Sequence, residues 1–100
     1  MTLQNGYTLV STFPEDFSIA DKFGEKAIRD TYNRAFKEWK DNYIYLTELV
    51  ITLNLKLWQH YSIGNHGLYN IYHELWMKAD SYACEHLKGD ELSFFFRITD

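Results

Sequence analysis

The stretch from Tyr43 to Tyr61, YIYLTELVITLNLKLWQHY, constrains the fold of this chain more than any other segment. Leu46, Val50, Leu53 and Leu57 follow one another at helical spacing and fall on a single stripe. Other large apolar residues flank that stripe, so the apolar surface covers most of the helix circumference. A helix of this kind is typically the buried centre of a helical domain. We therefore predict a central helix over 43–61.

Several features of the chain favour a protein of the cytoplasm. The apolar run within the central stretch is too short to cross a bilayer, and it contains Glu48, Asn54 and Lys56. Residues 1–15 contain no Lys or Arg and no continuous apolar run, so we expect no signal peptide. The single cysteine, Cys84, cannot form an intramolecular disulfide, which fits a reducing compartment.

The patterns on either side of the central stretch predict a single all-α domain over 1–100. Amphipathic spacing and turn residues place three main helices near 25–40, 43–61 and 68–87. Short helices are expected at 14–23 and 91–97, and residues 1–11 form an N-terminal arm. Thr12 with Glu15 reads as a capping box for the first helix. The predicted core consists of Ile28, Tyr32, Phe36, Leu46, Val50, Leu53, Leu57, Leu68, Leu75, Trp76 and Ala79.

Aromatic residues are more numerous than a core of this size needs. They make up 18% of the 100 residues, as eight Tyr, seven Phe and three Trp. Tyr and Trp are enriched at protein contacts, because each joins a large apolar body to a polar tip. We therefore expect a protein-contact surface and favour a homodimer. The candidate contact residues are Tyr43, Tyr45, Trp58, Tyr69, Phe94, Phe95 and Phe96.

A row of basic residues offers an alternative function. Lys22, Lys26, Arg29, Lys37 and Lys40 fall along one side of the helix predicted at 25–40 and the turn before it. Such a row can contact nucleic-acid phosphates, but acidic residues are interspersed along the same segment. The net charge of −4 also argues against the whole molecule binding polyanions.

The residues capable of chemistry show no catalytic or metal-binding pattern. His60, His66, His73 and His86 include no pair four apart on one helix, so we expect no metal and no cofactor. We expect His73 and His86 to be half-buried rings and Cys84 to be an inert thiol. Glu48 is expected to emerge near one end of the helices; if it is buried instead, its pKa should be shifted. The chain is therefore predicted not to be an enzyme.

Three stretches carry a resemblance to a known group of proteins: YTLVSTFPEDFSIADKFG, IRDTYNRAFKEWKDNYIYLTELVITLNLKLWQHY and LKGDELSFFFRITD. Together they resemble a family of small helical accessory proteins encoded on conjugative elements and phages of gut bacteria. The resemblance covers nearly all of the chain, and it implies an accessory role without an assigned active site. The leading hypothesis is a non-catalytic protein-interaction module, and the alternative is a nucleic-acid-binding helical domain.

Overall fold

The structure is a computed structural model that describes residue 3 and residues 5–99. The prediction of an all-helical fold is confirmed. Of the predicted arm at 1–11, residues 1, 2 and 4 lie outside the described residues. The helices within the described part of the chain are α1 (Phe13–Asp21), α2 (Glu25–Trp39), α3 (Tyr43–Ser62), α4 (His66–His86) and α5 (Asp90–Thr99).

Helix α3 is the centre of the fold, as its apolar circumference predicts. It packs against each of the other four helices. The stripe formed by Leu46, Val50, Leu53 and Leu57 is at most 2% exposed. Burial extends to polar side chains of α3 as well, including Thr47 and Thr52. Residues 46–53 are all buried, so this part of α3 has no solvent face on which polar residues could be placed, whereas the last turns of the helix reach the surface.

The ends of the helices follow from local chemistry, with one departure from the predictions. Asn42 caps α3 by accepting hydrogen bonds from the Ile44 and Tyr45 amides at 3.1 and 3.3 Å. Gly24 separates α1 from α2 at a φ of 100°, a conformation that side chains other than glycine rarely adopt. Thr12 does not cap α1 as predicted, because its hydroxyl donates to Asp16 at 3.0 Å instead.

Helix α4 begins earlier than the predicted residue 68. Asn65 accepts a hydrogen bond from the Leu68 amide at 3.1 Å and thereby caps a helix that starts at His66. Gly67 therefore lies in the first turn of α4 rather than in the preceding loop. A glycine lowers helix propensity but does not prevent a capped first turn, which explains the difference.

Most of the predicted core residues are buried, but the prediction was incomplete. Phe36, Leu68 and Trp76 are only partly buried and pack against the core from outside. Phe17 and Tyr72 are fully buried at the centre, where their rings meet edge to face at 5.8 Å. Neither ring belongs to the predicted set.

The arm lies along α3 and α5. Leu9 is buried against Ile51 of α3 and Ile98 of α5. The Asn5 amide donates to the backbone carbonyls of Arg97 and Ile98 at 3.1 and 3.0 Å, which satisfies oxygens at the end of α5. The arm therefore contributes a second, smaller apolar cluster. Among the described helices, none combines the length and apolar character needed to cross a membrane.

Candidate functional site

A row of five neighbouring rings runs from the end of α3 along α4, and we call it the aromatic strip. It consists of Trp58, Tyr61, Tyr69, His73 and Trp76. Successive ring centroids are 5.5, 5.7, 5.7 and 5.9 Å apart, within the range for aromatic pairs. Spacings of three and four residues put the rings of each helix on one face. The short α3–α4 turn then brings the two faces together.

The aromatic strip is most open at the two rings that α3 contributes. Trp58 is 53% exposed and Tyr61 is 56% exposed. Ile63, in the turn itself, is 67% exposed and extends the apolar surface. Tyr69, His73 and Trp76 are half-buried. Two of the predicted contact residues, Trp58 and Tyr69, therefore lie in one continuous surface.

Two other predicted contact residues are engaged in packing within the protein. Tyr43 meets Phe94 of α5 edge to face at 5.4 Å. Tyr45 lies 4.1 Å from the Trp39 ring and 6.2 Å from the Phe13 ring, measured between centroids. Both tyrosines are half-buried and stand at the start of α3. Roughly 20 Å of helix separates them from Trp58, so they are not part of the aromatic strip.

The Phe94–Phe96 triplet divides between core and surface. Phe95 is 1% exposed, so its prediction as a contact residue is wrong. Phe96 is 48% exposed and Phe94 is half-buried beneath Tyr7. Successive residues of a helix point about 100° apart, so one ring of three must face inward when α5 packs on α3.

The predicted basic row does not form a free cationic face. Arg29 donates to Glu74 of α4 at 2.6 Å and to Glu25 at 2.8 Å. Lys26 pairs with Asp30 at 2.9 Å. Lys22, Lys37 and Lys40 remain exposed. Two of the five bases are thus neutralised by neighbouring carboxylates, which weakens the electrostatic basis for binding phosphates.

A buried polar cluster, which the sequence did not reveal, joins α1, α3 and α4. Lys56 of α3 reaches the Asp21 carboxylate at the end of α1 at 2.5 Å. His60 lies 3.1 Å from the same carboxylate oxygen, and the hydroxyl of Tyr72 donates to the other oxygen. The side chains of Lys56 and His60 are 6% and 5% exposed. Burial, followed by the bond to Asp21, raises the pKa of the Tyr72 hydroxyl far above its ordinary value.

This cluster orients its side chains through a shared carboxylate. A carboxylate can only accept, so the hydrogen of His60 that faces Asp21 is on Nε2. The Lys56 ammonium also contacts the Gln59 amide oxygen at 3.2 Å and lies 5.8 Å from the centre of the Tyr72 ring. An ammonium, an imidazole and a hydroxyl thus surround a single carboxylate. Such an arrangement can hold three helices in one register.

A second buried charge, Glu48, contradicts the expectation that this side chain emerges from the helices. Its carboxylate is 0% exposed and accepts from the Tyr7 hydroxyl at 2.7 Å. The amide of Val10 donates at 3.0 Å and that of Ser11 at 2.8 Å. Burial by itself raises the pKa of Glu48, but the hydrogen bonds from Val10, Ser11 and Tyr7 outweigh burial and lower it. Burial and the Glu48 bond raise the pKa of Tyr7 to about 12.

The remaining histidines and the cysteine lie at the surface. His86 is exposed and stacks on Tyr82 at 3.9 Å, so it is not the half-buried ring that was predicted. His73 is half-buried within the aromatic strip. Cys84 is exposed, and partial burial together with the charges of Asp80 and Glu85 raises its pKa. In the described part of the chain, no three His, Cys, Asp or Glu side chains come close enough to hold a metal ion.

Three surface cavities lie away from the buried polar cluster. One lies among the arm, α3, α4 and α5, and a second, open groove follows α1 and α2. The third is shallow and lies beside the start of α4. None of the three is lined by Asp21, Lys56, His60 or Tyr72. A substrate bound in any of these three cavities would therefore not contact the buried polar cluster.

Comparisons with protein families, with curated proteins and with solved structures found no match. The functional residues are therefore assigned from geometry alone. Sequence reasoning missed Tyr61 and the buried cluster for different reasons. Tyr61 carries the same helical signal as Trp58, three residues before it, and could have been included. Asp21 carries no such signal, because its partners are distant in the chain.

Proposed function

We propose that this protein is a non-catalytic interaction module and that the aromatic strip is its contact surface. The observation that carries the proposal is the pair formed by Trp58 and Tyr61, both more than half exposed and in mutual contact. Exposed apolar surface that continues through several rings is typical of a contact site. Aromatic residues of this kind often supply most of the binding energy at protein interfaces.

The proposed occupant of the aromatic strip is a second copy of the chain. Two-fold self-association is the commonest way for a small protein to cover one apolar patch. A patch at the α3–α4 turn suits this arrangement, because Trp58, Tyr61 and Ile63 are all more than half exposed and can meet the same residues of a second copy. The finer proposal, supported by the sequence resemblance, is a cytoplasmic homodimer that serves as an accessory protein of a mobile element.

Light scattering behind a sizing column tests the homodimer at tens of micromolar protein. The wild type should elute at twice the 12.0 kDa mass of one chain. Trp58→Glu should return the mass to one chain, because a carboxylate cannot be buried in the apolar contact without a partner. Circular dichroism should show unchanged helix content, since Trp58 contributes little to the core.

Phe23→Glu is the matched control. Phe23 is 76% exposed and lies beyond the end of α1, outside the aromatic strip, so its variant should keep the wild-type mass. A wild type of single-chain mass would exclude the second copy as occupant. If Phe23→Glu and Trp58→Glu dissociated the dimer equally, the contact between the two copies would not be at the aromatic strip.

The nucleic-acid alternative stands on Lys22, Lys37 and Lys40, which remain exposed on and beside α2. Fluorescence anisotropy with labelled single-stranded and duplex DNA at low salt tests it. Binding that weakens steeply as salt is added would favour this alternative. An absence of binding at micromolar protein would remove it.

A further inference from the structure

The cavity among the arm, α3, α4 and α5 has the size and lining of a ligand site. Its volume is about 390 Å³, which falls in the range typical of small-molecule pockets. Val50, Ile51 and Phe95 supply apolar walls, and the ring of Trp76 lines the same space. The polar side chains in the lining include Asn54 from α3 and Asp80 from α4, whereas Asn5 and Thr99 are bonded to backbone carbonyls of α5. A few polar groups in a mostly apolar wall are characteristic of a site that orients its ligand.

Asp80 differs from the other partly buried acids of this protein. Asp21 and Glu48 are enclosed by cations or hydrogen-bond donors, whereas Asp80 has neither a hydrogen bond nor an ion pair with any described residue. It is half-buried, and burial raises its pKa. Placing a carboxylate in an apolar wall is unfavourable unless a cation or donor meets it. No described cation or donor meets this carboxylate, and because it lines the cavity it is accessible to a cation that enters there.

The chemistry of that partner follows from the lining. Trp76 is one helical turn before Asp80, so ring and carboxylate project from the same side of α4. A cation next to a carboxylate gains the charge interaction, and the face of an indole ring adds a cation–π contribution. The apolar walls suit a hydrocarbon or aromatic body attached to that cation. We propose that this cavity binds a small organic cation in which an ammonium group is attached to an apolar body.

The proposal goes beyond the interaction function and does not depend on it. Trp76 belongs to both surfaces, but the aromatic strip is tested at Trp58 and the cavity is tested at Asp80. The first test measures molecular mass and the second measures ligand affinity. Either proposal can therefore fail while the other holds.

Isothermal titration with phenethylamine, which is a cation at neutral pH, and with 2-phenylethanol, its neutral counterpart, tests the proposal. The wild type should bind the amine more tightly than the alcohol. Asp80→Asn keeps the side-chain shape and removes the charge, so it should lower the affinity for the amine roughly tenfold or more. The same variant should change the affinity for the alcohol by less than about twofold, because only the cation uses the charge.

Asp41→Asn is the matched control. Asp41 is exposed in the α2–α3 turn, and its variant removes the same charge at a distance from the cavity. It should leave both affinities unchanged. If both variants lost the same affinity for the amine, the effect would come from the net charge of the protein and not from Asp80 in the cavity. Failure of the wild type to bind the amine at millimolar concentration would overturn the proposal.

Cys84 provides a second measurement that does not depend on any variant folding. It is the single cysteine of the chain, it is exposed, and it lines the cavity. Phenethylamine should slow the alkylation of Cys84 by iodoacetamide, and 2-phenylethanol at the same concentration should slow it less. An amine that binds without slowing alkylation would be bound elsewhere, and the cavity would not be its site.

Discussion

Glu48 and Lys56 are charged residues of the same buried helix, and the fold accommodates them in different ways. Glu48 receives hydrogen bonds from two backbone amides and one hydroxyl of the arm. Lys56 reaches the side chains of Asp21 and Gln59. The carboxylate is thus held mainly by groups that almost every residue possesses, and the ammonium by particular side chains. This difference decides what each charge does for stability.

The Lys56 arrangement is a charge network, and losing the ammonium leaves the Asp21 carboxylate with only the His60 and Tyr72 bonds. Glu48 acts as a docking point for the arm, and losing its charge releases one segment. The first case affects the packing of α1, α3 and α4 together. The second affects residues 5–12 and the small cluster around Leu9. We therefore expect global destabilisation from the Lys56 network and local opening from Glu48.

Lys56→Met should give the largest effect. The variant keeps an unbranched side chain, one atom shorter, but removes the ammonium that is paired with the Asp21 carboxylate, which should lower the free energy of unfolding by about 3–5 kcal/mol. Urea titration followed by circular dichroism measures it. The double variant Asp21→Asn/Lys56→Met should recover part of the loss, because the unpaired charge is removed.

Lys37→Met, at an exposed position of α2, is the control and should change stability little. A Lys56→Met variant as stable as this control would show that the ammonium contributes nothing to the network. The comparison between the two charges of α3 would then be wrong. A double variant less stable than Lys56→Met would point to the Tyr72 and His60 bonds as the main role of Asp21.

Acidification should remove the contribution that the Glu48 carboxylate makes to stability. Its folded-state pKa lies below the ordinary value of 4.5, so its contribution is fully present above that pH. The contribution is lost as the pH falls through the lowered folded-state value. At neutral pH, Glu48→Gln should cost about 1.5–3 kcal/mol, as expected for hydrogen bonds to a charged acceptor.

The informative quantity is the difference in unfolding free energy between wild type and Glu48→Gln as a function of pH. Other carboxylates titrate in both proteins and cancel in that difference. The difference should be constant from neutral pH down to about 5 and should then shrink. A difference that does not change with pH would mean that the charge of Glu48 plays no part in holding the arm.

The contrast also explains what could be predicted from the sequence. The stripe Leu46, Val50, Leu53 and Leu57 predicts α3 because apolar spacing within one helix is a local signal. The partners of Lys56 and Glu48 lie 35 and 38 residues away, at Asp21 and Val10, and no local pattern joins them. The backbone donors to Glu48 have no sequence signature at all. The burial of both charges therefore required the structure.

The candidate site was predictable in part for the same reason. Trp58 and Tyr69 were expected at the surface because the number of rings exceeds the capacity of the core. Their joining into one strip depends on how the α3–α4 turn brings the two helices together. Phe95 was misassigned because the direction in which α5 packs determines which ring of the triplet turns inward. The composition indicates that some rings must face outward, and the packing of the helices determines which ones do.

Tyr7→Phe should lower the free energy of unfolding least among these test variants, and it tests how much of the docking of the arm depends on one hydroxyl. The variant removes one of the donors to Glu48 and keeps the ring against Phe94, so it should cost roughly 1–2 kcal/mol. The Val10 and Ser11 amides still hold the carboxylate and should remain protected in hydrogen exchange. Tyr61→Phe, which removes an exposed hydroxyl from the aromatic strip, should leave stability unchanged. If Tyr7→Phe instead cost as much as Glu48→Gln and exposed both amides to exchange, the hydroxyl would be the principal anchor. Glu48 would then resemble Lys56 in depending on one particular side chain, and the contrast between the two charges of α3 would disappear.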